Sequence, residues 1–170
     1  MNLLDIYESG AVARYHAKRA HTHQTVADHA WGVALVLMWM YHPQLPPSKS
    51  FQRALLHDAP ELITGDVPAP AKWRSPELKA ALTKLEQEIS EEMGLPVFDY
   101  EDPLHDFCDN AELVMHCIAQ YKMGNTHFYR TAFRGLDKIK QIIQHMPEGD
   151  MMLRAQGLYN SLRNEVNHVR

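Results

Sequence analysis

Along most of the chain, apolar residues recur every three or four positions, the spacing of a helix face. Alternating apolar–polar runs are few, and no Asn-Gly turn joins β-branched segments, so strand signals are weak. Residues 2–9 read as a short helix closed by Gly10. Residues 14–25 are polar and His-rich and read as an irregular approach to Thr25, which caps a helix over 26–41. That helix is apolar on nearly every face and ends at His42-Pro43. This predicts a central buried element, with the Met and Trp stripe of 33–40 in the core. A loop with three prolines over 43–50 leads to a short helix over 50–58. The stretch 64–72, with Gly65, Pro68 and Pro70, reads as a surface loop. Ser75-Pro76 opens a helix over 77–93, stopped by Gly94. Asp102-Pro103 opens another that runs to about Met123 and stops at Gly124-Asn125, and helices over 128–145 and 150–166 complete the set. The pattern predicts one all-α domain over 1–170, a helical bundle of six or seven helices without repeat, linker or low-complexity segment.

Composition narrows the class. A chain of 170 residues is one domain's worth and buries roughly 70% of its unfolded surface. The formal charge of −4 and pI near 6.2 argue against a binder of nucleic acid polymers, while leaving room for a small basic pocket. The longest apolar run, 30–41, is too short to span a bilayer. Residues 1–20 carry Asp5, Glu8, Arg14, Lys18 and Arg19 rather than a secretory leader. A cytoplasmic, reduced protein with no membrane association is the expectation. Cys108 and Cys117 lie on one expected helix, where they cannot bridge, and read as small buried hydrophobes.

Eleven histidines are the compositional oddity, because imidazole binds metals and titrates near neutrality. His57-Asp58-Ala59-Pro60-Glu61 ends an apolar helix, where a charged pair needs a partner. His29 follows Asp28 on the most apolar helix. Asp109 opens a third helix amid Phe107, Ala111, Leu113 and Val114. Each has a bland reading alone: a hydrogen-bonded core histidine, or a carboxylate facing a helix dipole. Together they offer nitrogen and oxygen donors from three helices, as metal sites in helical bundles do. His105-Asp106 is a competing pair, and Asp106 shares a helix face with Asp109. His16, His21 and His23 read as surface or rim residues, and Glu86 to Glu92 as a solvated face.

The order His29 … His57-Asp58 … Asp109 resembles the H…HD…D pattern of HD-domain phosphohydrolases. The stretch from His57 through Glu61, Thr64-Gly65-Asp66 and Pro68 to Lys72 is similar to the YfbR-type 5'-deoxynucleotidase branch. So are Arg14-Tyr15, residues 25–31 and Gly124-Asn125. The likeness runs from about residue 10 to 145. It implies an HD fold with His29, His57, Asp58 and Asp109 as metal ligands. Glu61 would orient or activate water, with Asp66 as a second acid–base group. Arg14 and Lys72 would hold phosphate, and Tyr15 would lie near base or sugar. Two imidazoles and two carboxylates suit Co, Mn, Zn, Ni or Fe better than Mg. The implied reaction is hydrolysis of deoxyribonucleoside 5'-monophosphates by a cytoplasmic homo-oligomer, a dimer or larger.

The departures are informative. Leu62 follows Glu61, so the second acid of the guanosine tetraphosphate hydrolases is missing, as is the Gly-Tyr-Pro signature of cyclic-di-GMP phosphodiesterases. The short spacing from Glu61 to Asp109 is also similar to compact phage dATP triphosphohydrolases. For those, Lys18 and Arg19 would extend the cationic rim. Tyr15 stands where both groups commonly carry tryptophan. A non-catalytic helical regulatory module remains the alternative from another class, and a cyclic-nucleotide phosphodiesterase a weaker enzymatic one.

Overall fold

The computed structural model describes residues 3–96, 98 and 102–168. Its helices are α1 (Leu3–Ser9), α2 (Val26–Tyr41), α3 (Ser48–Leu56), α4 (Glu61–Thr64), α5 (Ala69–Arg74), α6 (Pro76–Glu92), α7 (Pro103–Lys122), α8 (Tyr129–His145) and α9 (Asp150–His168). Two two-residue strands, β1 (Ala13–Arg14) and β2 (Gln24–Thr25), pair antiparallel, with Ala13 opposite Thr25 and Arg14 opposite Gln24. The all-α expectation holds, and this ladder closes the irregular approach to α2.

The core forms where α2, α7, α8 and α9 meet. Phe107, Val114, Phe128, Ile139, Val33 and Met40 are sealed from solvent there. Thr25 begins α2 with a capping box: its hydroxyl accepts from the Asp28 N–H at 3.2 Å, and Asp28 accepts the Thr25 N–H at 2.9 Å. Asp28 is thereby spent on the helix start. The α7–α8 contact is close because Gly135 carries no side chain. A Cβ there would lie 2.6 Å from Val114 Cγ2 and 2.9 Å from Leu113 Cδ2. Cys108 and Cys117 are free and buried on α7, as expected.

The loop over 15–24 is tied to the end of α7. Asn125 donates to the Arg19 carbonyl at 2.7 Å, Gln120 donates to the Thr22 carbonyl at 3.0 Å and accepts from the His21 N–H at 2.9 Å. Gly124, at φ 89, turns the chain so that Asn125 can reach back. These bonds fix the segment that presents Arg14.

Three expectations are corrected. The stretch 64–72 is not all loop: α5 begins at Ala69, because a proline in the first turn gives up only an amide that has no helical partner. Residues 33–40 are not all core. Val33, Val36, Leu37 and Met40 are buried, whereas Trp31, Leu35, Met38 and Trp39 form an exposed row on α2. A helix covers only the faces against which neighbours pack, and here one face is left exposed by the described residues. The acidic run of α6 is not wholly solvated either. Glu86 is half-buried, and burial raises its pKa while the nearby Lys72 charge lowers it.

Candidate functional site

Three helices bring four candidate ligands together. His29 comes from the first turn of α2, His57 caps the end of α3, Asp58 follows it, and Asp109 projects from α7. Donor atoms of His29, His57 and Asp58 all lie within 4.8 Å of one another. His29 Nε2 is 3.0 Å from Asp109 Oδ1 and 3.6 Å from Asp58 Oδ2, and His57 Nε2 is 3.4 Å from Asp58 Oδ1. Both Nε2 atoms are buried, yet neither has the geometry of a hydrogen bond. Buried polar atoms rarely go unpaired, and those that do mark water, ion or catalytic positions. Two imidazole nitrogens and facing carboxylates are the donor set of a transition-metal site, so the residues fit the implied cation.

The protonation pattern follows from crowding. Burial disfavours the His29 cation, but the Asp109 and Glu112 carboxylates overcome it and raise its pKa to about 10. Burial pushes His57 down, more than Asp58 pulls it up. Burial would raise Asp58 and Asp109, yet interactions with their neighbours hold both below the usual carboxylate range: His57, Arg14 and His29 for Asp58, and chiefly His29 for Asp109.

Around this centre stand the other expected residues. Arg14, on β1, pairs through a terminal guanidinium nitrogen with Asp58 Oδ2, and the pull of Asp58, Asp109 and Glu61 outweighs burial and keeps it protonated. Glu61 begins α4 and is buried, and its Oε2 has no hydrogen-bond partner. Burial and the Asp58 charge raise its pKa to about 8, against the opposing charges of Arg14 and Lys72. Lys72, half-buried on α5, therefore sits within charge range of both Glu61 and Glu86. Asp66 follows Gly65, whose φ of 67 suits glycine, and accepts the Tyr15 N–H at 3.2 Å.

The Tyr15 ring stacks on His116 at 4.9 Å and meets Phe128 edge-on at 5.3 Å, and its buried hydroxyl, without a hydrogen-bond partner, lies within charge range of Arg14, Glu112 and Asp109. Lys18 is engaged with Thr131 and lies 4.7 Å over the Phe128 ring, and Arg19, like His16, His21 and His23, is exposed. His105 is buried against His57, with ring centroids 4.7 Å apart. Burial first, then the neighbouring His57 and Arg53, lower its pKa to about 3. The clustered donor atoms are those of His29, His57 and Asp58, and Asp106 is not among them. One residue escaped the sequence reading. Glu112, one turn beyond Asp109 on α7, is buried with Oε2 2.5 Å from His29 Nδ1. Its only sequence mark is a charge between apolar Ala111 and Leu113, three positions from a candidate ligand.

Known proteins resemble this chain in sequence and in fold. The model of the family described as 5'-deoxynucleotidase YfbR-like matches residues 6–96. A 5'-deoxynucleotidase of Shewanella oneidensis is 26% identical over 129 residues, 62% of this chain and 66% of that protein. A dATP triphosphohydrolase of Cyanophage S-2L is 35% identical over 99 residues, 54% of this chain and 55% of the other. The matched stretches thus span about half to two thirds of these relatives. The solved structure of the Cyanophage S-2L HD phosphohydrolase, bound to dA and one catalytic Zn2+ ion, superposes with a TM-score of 0.72. It is 22% identical and covers 99% of this chain and 98% of that one, a likeness of fold. With the family match spanning more than half of its residues, the chain belongs to the YfbR-like family of HD-domain proteins.

Proposed function

We propose that this protein is a metal-dependent phosphohydrolase that cleaves deoxyribonucleoside 5'-monophosphates to deoxynucleoside and phosphate. The observation that carries the reading is the convergence of His29, His57 and Asp58, with Asp109 beside them, around two buried Nε2 atoms without hydrogen bonds. His29, His57, Asp58 and Asp109 would hold a divalent transition ion such as Co, Mn, Zn, Ni or Fe. Such an ion, when bound, supplies Lewis acidity toward a phosphoryl oxygen and toward water. The remaining steps belong to the chain's own side chains. Arg14, already held against Asp58, and Lys72 offset the charge of the phosphate. Glu61, buried beside Asp58, orients water and, in its ionised form, accepts the water's proton as the new P–O bond forms. The bond from phosphorus to the 5'-oxygen then breaks, and that oxygen leaves with a proton. Asp66, fixed by the Tyr15 amide, is the second group placed to handle it.

A second reading, release of triphosphate from a deoxynucleoside triphosphate, is favoured by the 35% identity to the phage dATP triphosphohydrolase. Against it, Lys18 is engaged by Thr131 and Phe128 rather than free for a longer phosphate chain. The monophosphatase reading also expects a cytoplasmic homo-oligomer. Ion-exchange analysis of products from protein loaded with Mn, Co or Zn separates the cases. Phosphate from deoxynucleoside monophosphates, with ribonucleotides spared, is the expected result. Triphosphate from deoxynucleoside triphosphates moves the assignment to the second reading. No turnover with any metal overturns both and leaves a non-catalytic helical module.

A further inference from the structure

The buried carboxylate of Glu112 has no place in the reaction outlined above, yet it is held by two specific contacts. Its Oε2 lies 2.5 Å from His29 Nδ1, and its Oε1 accepts from Gln24 Nε2 at 2.7 Å. Gln24 is itself buried on β2, immediately before the cap of α2. The helix carrying His29 makes room for this side chain. A Cβ at Gly32 would stand 2.6 Å from Glu112 Cγ and 3.2 Å from its Oε1, inside contact distance. Three elements therefore agree on one carboxylate position: α7 supplies it, β2 braces it and α2 leaves a gap for it.

We propose that Glu112 is a positioning residue that aims His29 at the metal-ligand group. An ionised carboxylate only accepts, so the 2.5 Å contact keeps a proton on Nδ1 and reserves Nε2 for Asp58, Asp109 and a cation. Histidines that ligate metals commonly have the other ring nitrogen fixed by such a partner, and removing it costs roughly 10–100-fold in metal affinity. Gly32 is the vacancy that lets Glu112 reach the ring. The inference rests on the metal-site reading and deepens it.

The test is zinc affinity, measured by competition with a chromophoric chelator on the full chain. Glu112→Ala is expected to weaken zinc binding roughly 10–100-fold. Glu112→Gln is expected to recover most of it. It keeps an oxygen for His29, and Gln24 can turn its own unpartnered amide oxygen to the new N–H. Gly32→Ala, which leaves every polar group in place but displaces the carboxylate, is expected to act like Glu112→Ala and stands in for it if that variant does not fold. Wild-type affinity in either Glu112→Ala or Gly32→Ala overturns this inference alone. Failure of the wild-type chain to take up zinc overturns the metal-site reading with it.

Discussion

At the scale of single residues, the site is defined by groups whose charge depends on their neighbours. Glu61 shows this most clearly. An unfolded glutamate titrates at about 4.3, whereas burial and Asp58 move the folded carboxyl to about 8. Between these values the folded chain keeps a proton that the unfolded chain has released. Its contribution to stability is present at low pH and is lost as pH rises through the folded value. Metal-stripped protein is therefore expected to lose stability across that window, with His29, raised to about 10, adding to the loss at its upper end. Glu61→Gln, which cannot ionise, is expected to flatten the slope in thermal melts. An unchanged slope contradicts the assignment. The residues on which this rests were legible where chemistry and pattern agree. His57-Asp58 ends an apolar helix, and His29 interrupts another. Glu112 was not, because its role depends on Gly32 and Gln24 reaching it from other elements.

At the scale of elements, sequence periodicity located the long helices, and packing decided which faces they bury. α8 illustrates the agreement: Ala132, Leu136, Ile139 and Ile143 form one buried stripe at helical spacing. α2 illustrates the limit, since a helix apolar on every side does not say which side has a neighbour. α5 was hidden because Pro68 and Pro70 read as loop signals, although proline is tolerated in a first turn. The α7–α8 seam gives a direct test. Gly135→Ala gains helix propensity of up to about 1 kcal/mol. The added methyl, however, meets Val114, which is wholly buried and cannot yield. Overpacking of this kind typically costs about 1–3 kcal/mol. Chemical denaturation is expected to show a net loss of stability, and a stabilised variant would contradict the packing described for the seam. Because Asp109 and Glu112 ride on α7, the seam also supports the site.

For the whole molecule, the fold gathers donors from α2, α3 and α7 while the tied-down 15–24 loop brings Arg14 over them. An acidic chain thereby keeps the cationic groups Arg14 and Lys72 close to its cluster of donors. Among the described residues no helix is long and apolar enough to cross a membrane. The exposed row of Trp31, Leu35, Met38 and Trp39 is the kind of apolar patch that subunit contacts cover. Light scattering behind size exclusion is expected to give a dimer or larger assembly. A monomer at micromolar concentration contradicts the homo-oligomer expected from the family likeness. The central claim is that this donor cluster is a metal centre which hydrolyses deoxynucleotides. Its most direct measurement is phosphate release from a deoxynucleoside monophosphate by wild-type and Asp58→Ala protein, each reloaded with the same metal. Turnover by the wild type, reduced in the variant by at least about 100-fold, equivalent to about 2.7 kcal/mol of transition-state stabilisation, is the result expected. Equal turnover by the two proteins would contradict the account.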